Sequence, residues 1–326
     1  MMDGMPRTLR SLLLALTLVA VCVPTLAVAA ESERVSTIHD RRITESSGLA
    51  ISTKDQKLAY TINDAGDPIV FAIKLSTGKV VGTTRVGGGV IGDFEALAID
   101  GDGTMWLADV GDNDEVRRDA ALYALPEPGR GKHSVIAKRY PVSYQGGPVD
   151  IEAMLVHPKT GKKFLASREM AKQGTLYSLP KKLSVNGDNR ATDLGKAFPV
   201  EVTDATFTVD GSQTLIRTPG AVHVFDPKTW SEVEVLSVPE VEMGQSIAME
   251  PDGKSFIMGS EGKNSPLIRV VFGTQTKAEP TPTPASKSDD VLADGVGIPV
   301  VAVVGIAAMS VLALVAVWAV FPRKEI

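Results

Sequence analysis

The stretch DFEALAIDGDGTMWLADVGDN, residues 93–113, reads as two short strands joined by a tight turn. Phe94 and Ala96 to Ile99 form an apolar run behind an acidic opening, and Met105 to Ala108 form a second one. Asp102-Gly103 between them is turn chemistry, because glycine takes positive φ without steric cost. The second run ends in Asp109-Val110-Gly111-Asp112-Asn113, a cluster of oxygen-bearing side chains. The same plan returns along the chain. Its other copies begin at Ser46-Ser47-Gly48-Leu49-Ala50-Ile51, Asp150-Ile151-Glu152-Ala153-Met154-Leu155-Val156, Thr203-Asp204-Ala205-Thr206-Phe207-Thr208-Val209 and Gly244-Gln245-Ser246-Ile247-Ala248-Met249. Thr160-Gly161, Asp210-Gly211 and Asp252-Gly253 supply turns at the matching offset, while the first copy uses Thr53-Lys54-Asp55-Gln56-Lys57.

A period of roughly 40 to 57 residues with several short strands per unit is the pattern of a propeller blade. Helical solenoids have similar periods, but no stretch here repeats apolar residues at helical spacing. A two-sheet sandwich would explain the strands but not the recurrence of one motif at the head of each unit. The expected fold class is therefore all-β, a β-propeller with five visible blades. The segment 34–43 is expected to add an outer strand that closes the last blade. A sixth, degenerate blade has room in the interval 109–148.

The two ends read differently from this body. Arg7 and Arg10 precede the apolar run 12–23, and Ala27-Val28-Ala29-Ala30 offers small residues for a peptidase, so residues 1–30 are expected to be a signal peptide. Cys22, the single cysteine, falls inside it, and the mature chain would hold no thiol for disulfides, thiolate catalysis or metal binding. Residues 296–321 are an unbroken run of apolar and small residues, long enough to cross a hydrocarbon core of ~30 Å. Arg323 and Lys324 follow at once, which places the tail 322–326 in the cytoplasm. Residues 274–295, with Pro280, Pro282 and Pro284, read as an extended linker. The expected organisation is a β-propeller ectodomain at 31–273 on a linker and a single transmembrane helix, with its folded part extracytoplasmic. The chain of 326 residues carries a formal charge of -5, which offers no basic face for nucleic acid.

If the strand pairs close into a ring, residues before each first strand and after each second strand meet at one rim. The first set is Ser47, Glu95, Glu152, Asp204 and Gln245; the second includes Asn63-Asp64, Asp109, Asp112-Asn113, Arg168, Arg217 and Glu261. Carboxylates crowded in one funnel raise one another's pKa unless a cation relieves them. Calcium suits such an oxygen-rich, irregular set, and Asn63, Asp64, Glu95, Asp109, Asp112, Asn113 and Glu152 are its candidate ligands. Arg117, Arg168 and Arg217 offer the other relief through bidentate salt bridges, and together with Glu261 they are candidate ligand-binding residues. Turn and strand-end chemistry accounts for many of the same Asx residues. His39, His133, His157 and His223 show no paired-ligand spacing, and His157 before Pro158 reads as a turn residue.

Asn63-Asp64-Ala65-Gly66, Asp109-Val110-Gly111-Asp112-Asn113 with Arg117, Leu125-Pro126-Glu127-Pro128, Asp150-Ile151-Glu152-Ala153 and Ser260-Glu261-Gly262-Lys263-Asn264-Ser265-Pro266-Leu267 resemble segments of a group of secreted bacterial β-propeller proteins. That group is similar at a distance to gluconolactonase-like and phytase-like propellers. The resemblance implies a propeller with a polar channel mouth and, for the distant enzymes, a divalent metal there. Gly244-Gln245-Ser246 departs from the expected Gly-Glu-Ala, replacing a channel carboxylate with an amide. Two functions lead on this reading, with a structural partner of another membrane protein through the span as a minor third. One is a surface-tethered module that binds an extracytoplasmic ligand or protein, with calcium at the channel mouth. The other is a metal-dependent extracytoplasmic hydrolase of lactones or phosphoesters.

Overall fold

The computed structural model describes residues 30–89, 92–170, 172–199 and 201–273. The rest of the expected signal peptide, the linker, the apolar run 296–321 and the tail lie outside the described residues. No helix among the described residues is long and apolar enough to cross a membrane. The described chain is all-β.

Strand β1 (Ser32–Ile38) is followed by five antiparallel meanders. The first comprises β2 (Ser46–Ile51), β3 (Leu58–Asn63), β4 (Ile69–Lys74) and β5 (Lys79–Gly87). The second begins with β6 (Phe94–Ile99), β7 (Thr104–Asp109) and β8 (Ala121–Pro126); the chain then makes β9 (Gly131–Ile136) before β10 (Lys138–Tyr144) completes it. The third is β11 (Ile151–Val156), β12 (Lys163–Ser167), β13 (Gly174–Ser178) and β14 (Asn189–Phe198). The fourth is β15 (Asp204–Phe207), β16 (Thr214–Arg217), β17 (Ala221–Asp226) and β18 (Ser231–Ser237). The fifth is β19 (Gly244–Met249), β20 (Ser255–Ser260) and β21 (Ser265–Val271), completed by β1, which pairs antiparallel with β21 from Ser32 opposite Val270 to Ile38 opposite Ser265. The expected closing strand is therefore present. The room for a sixth unit in 109–148 is used otherwise: β9 adds itself parallel to β5 on the first meander. A short parallel contact of β10 with β14 joins the outer edges of the second and third meanders into one eight-stranded sheet.

The first strands β2, β6, β11, β15 and β19 touch in a closed cycle, each meeting the next and β19 returning to β2. Each is the terminal strand of its meander, so its outer partner lies on one side only. The core follows the same cycle as five apolar clusters, one between each successive pair of meanders. Tyr60 and Ile62 pack on Phe94 and Leu107, Trp106 and Leu122 on Met154 and Leu165, and Leu155 and Phe164 on Phe207 and Ile216. Leu215 and Val224 then pack on Phe256 and Met258, and Ile257 and Leu267 close onto Leu49 and Phe71. Strands nearest the centre are buried on both faces, so every residue of β2, β11 and β19 is buried, polar starts included; the outermost β18 is largely exposed.

Candidate functional site

The rim is made by irregularities in the first strand pairs. Between β6 and β7, Phe94 faces Asp109 and Ala96 faces Ala108, so Glu95 is an extra residue outside the ladder. Between β11 and β12, Ile151 faces Ser167 and Ala153 faces Ala166, which leaves Glu152 as the extra residue. The pairs β2–β3 and β19–β20 also gain one residue near their start, between Ser47 and Ala50 and between Gly244 and Ile247. A bulge turns its unpaired side chain out of the alternating pattern, and here it releases the glutamates from the sheet faces.

Some of these residues meet across the first strands. Ser47 Oγ donates to the Glu95 carbonyl at 3.1 Å and lies 3.3 Å from Glu95 Oε2. Gln245 Nε2 donates to Glu152 Oε2 at 3.1 Å, linking β19 to β11 past the intervening β15. Asp204 turns inward instead: its carboxylate accepts the amides of Ala205 at 2.8 Å and Ile247 at 2.9 Å and ties β15 to β19. Complete burial pushes its pKa well up.

Glu95 is 5% exposed. Burial, then the nearby charges of Glu152, Asp93, Asp64 and Asp150, push it up to about 10, so it holds a proton at neutral pH. Gly111 permits this placement, since a Cβ there would fall on Glu95 Oε1 and the Asp93 carboxyl. Glu152, 1% exposed, is pushed up to about 7 by burial, against the pull of Arg168. Arg168 Nη1 stands 2.7 Å from Glu152 Oε1, at ion-pair distance but outside hydrogen-bond geometry, and Nη2 stands 3.2 Å from Asp150 Oδ2. Asp64 is pushed to about 7 by burial and by Glu45, and its Oδ1 is buried with no hydrogen-bond donor. Glu261 is raised too, by burial and by Glu45, with Arg168 opposing.

Other predicted residues serve the scaffold. Asn63 Oδ1 accepts the amides of Thr44 and Glu45, and its Nδ2 donates to the Arg42 carbonyl at 2.7 Å, which pins the loop before β2. Asp109 is fully buried and receives Arg117 Nη2 at 2.7 Å and the Asp93 amide at 3.1 Å. Asp112 accepts the amides of Val116 and Arg117 at 2.9 and 2.7 Å, while its own amide donates to Asp150 Oδ1. Asn113 Oδ1 receives Arg168 Nη2 at 2.5 Å. Arg117 also binds Asp119 and the Gly111 carbonyl, so its guanidinium is committed to this loop. Arg217 lies in the interior at 0% exposure, donating to the carbonyls of Ser246 and Gly259. His157 accepts the Lys159 amide within its turn.

The seven expected metal ligands are thus not one shell. Glu95, Glu152 and Asp64 are the three of the seven whose pKa burial drives well up, and no three His, Cys, Asp or Glu side chains among the described residues are arranged to hold a metal ion as they stand. Sequence reasoning missed Glu45, Asp93 and Asp150 as parts of this electrostatic group. Asp93 and Asp150 had a signal, since each opens its copy of the motif; Glu45 had none. No protein-family model matches the chain, and no curated protein matches it either.

Proposed function

We propose that the chain is a membrane-tethered, extracytoplasmic binding module, a five-bladed β-propeller whose acidic channel mouth takes a calcium ion. The closed cycle of first strands and the five apolar clusters between meanders support the propeller. The apolar run 296–321 with Arg323 and Lys324, and the leader-like start, support the tether.

The observation that carries the binding reading is Glu95, a buried carboxyl ringed by four others and kept neutral only by a proton. A hard cation would neutralise the same charge, and Glu95, Glu152 and Asp64 are the residues that would hold it. Their fit rests on donor chemistry: Asp64 Oδ1 is a buried oxygen lacking a hydrogen-bond donor, Glu152 Oε1 meets the Arg168 guanidinium only at ion-pair distance, and the missing Cβ of Gly111 lets the Glu95 and Asp93 carboxyls lie side by side. Calcium tolerates such irregular oxygen sets.

Calorimetry of the full chain tests this. Calcium should raise the melting temperature progressively, by about 5 °C at a hundredfold excess over Kd, and Glu95→Gln with Glu152→Gln should abolish the rise. A transition unmoved up to millimolar calcium overturns the cation site.

A further inference from the structure

The five first strands begin at the acidic mouth and run to the opposite end of the ring, where their hairpin turns lie. There a cavity of about 420 Å³ opens, within the roughly 300–1,000 Å³ of small-molecule sites. All five strands line it in their second halves, through Leu49, Leu97, Met154, Phe207 and Met249 among others. Toward the mouth the ring is crossed by the Gln245–Glu152 hydrogen bond.

Its chemistry is the reverse of the mouth's. Asp100 is the one ionisable residue of the lining. Its Oδ2 already accepts Trp106 Nε1 at 2.8 Å and its Oδ1 the Thr104 amide at 3.0 Å, so the carboxyl is engaged by its own hairpin. An anion entering the cavity would lose its hydration without a counter-charge, since no Lys, Arg or His lines it. The hydroxyls of Ser52, Thr53, Thr206 and Thr208 and the amide of Gln56 share the lining with apolar side chains, among which the thioethers of Met154 and Met249 adapt to an occupant's shape. The inner edges of the five strands pair with no other strand, which leaves backbone donors and acceptors beside the apolar side chains.

We propose that this cavity is a second binding site, separate from the mouth, for an uncharged small molecule with an apolar body and one or a few hydrogen-bonding groups. Thr206, half-buried in the wall, makes the site testable.

The full chain in lipid nanodiscs is titrated calorimetrically with 2-naphthol, and protein-free nanodiscs serve as the blank. Saturable binding of one equivalent above the blank is expected, weakened at least about tenfold by Thr206→Trp, which fills the cavity, and preserved by Thr206→Val. Naphthalene-2-sulfonate, of the same ring size but charged, should not bind. Heat indistinguishable from the blank, equal binding of the sulfonate, or binding unchanged in a folded Thr206→Trp chain overturns the proposal. Should Thr206→Trp fail to fold, the thiol introduced by Thr206→Cys decides: 2-naphthol must slow its alkylation by N-ethylmaleimide, and unslowed alkylation refutes the site.

Discussion

Glu95 keeps its proton because the alternatives are worse: its carboxyl is almost out of water and surrounded by like charges. A carboxyl raised in the folded state binds more protons folded than unfolded, so stability falls as pH rises from the unfolded value toward the folded one. For Asp64 that window runs from 3.8 to about 7, for Glu152 from 4.5 to about 7, and for Glu95 from 4.5 to about 10. Without calcium the melting temperature should therefore fall between pH 5 and pH 8, at about 2–4 °C per kcal/mol for a domain of this size. Glu95→Gln, which mimics the neutral acid, should flatten that slope and leave stability at pH 5 nearly unchanged. A slope identical to the parent's would show that Glu95 is not the group responsible. Arg168 works in the other direction, as the cation in contact with both Glu152 and Asp150. Arg168→Met should lower the melting temperature, with the larger loss at pH 8, where Glu152 cannot relieve itself by protonation.

At the scale of elements the decisive devices are the bulges. Alternation alone would put Phe94 and Glu95 on opposite faces of one sheet, with every second residue against a neighbouring meander. The extra residue breaks that count and frees the glutamate for the rim. In β2 the same irregularity depends on Gly48, at φ 64°, where an added Cβ would lie 2.5 Å from the Leu97 amide nitrogen and within about 3 Å of the Ala96 backbone. Both obstacles are backbone atoms of β6 and cannot swing aside. Gly48→Ala should thus cost about 2 kcal/mol or more, seen as a lowered denaturant midpoint in equilibrium unfolding. A cost near zero would mean that β2 and β6 can part freely. The paired apolar runs, their turns and the closing strand were legible in the sequence, because burial and turn chemistry are local. The bulges were not, since a strand with one residue too many looks like any other strand until its partner is laid beside it. Nor was β9, whose parallel partner β5 is remote in the chain and whose exposed face gives no apolar pattern.

For the whole molecule, closure rests on one non-covalent seam. β1 comes from the start of the body and completes the meander formed at its end, and Ile38 joins the cluster shared by the last and first meanders. The ring holds only while β1 and β21 stay paired. Deleting residues 30–38 would expose the edge of β21 and open that cluster. The expected result is loss of a single cooperative thermal transition by circular dichroism, and a truncated chain melting like the parent would show that the seam carries little of the stability.

The order of residues was enough to fix the recurring strand pairs, the all-β class and the acidic character of the first-strand starts, because each follows from hydrophobic runs and turn residues within a short window. It also picked out Glu95 and Glu152 by their repeated position. What it could not apportion was the work of the remaining oxygens: Asn63, Asp109 and Asp112 look like ligands in a string of letters, yet backbone amides and Arg117 claim them once the loops are folded. Only the tertiary structure separates the two ends of the ring, since the charge that gathers at one and the nearly uncharged lining that gathers at the other come from strands about fifty residues apart, brought together by packing.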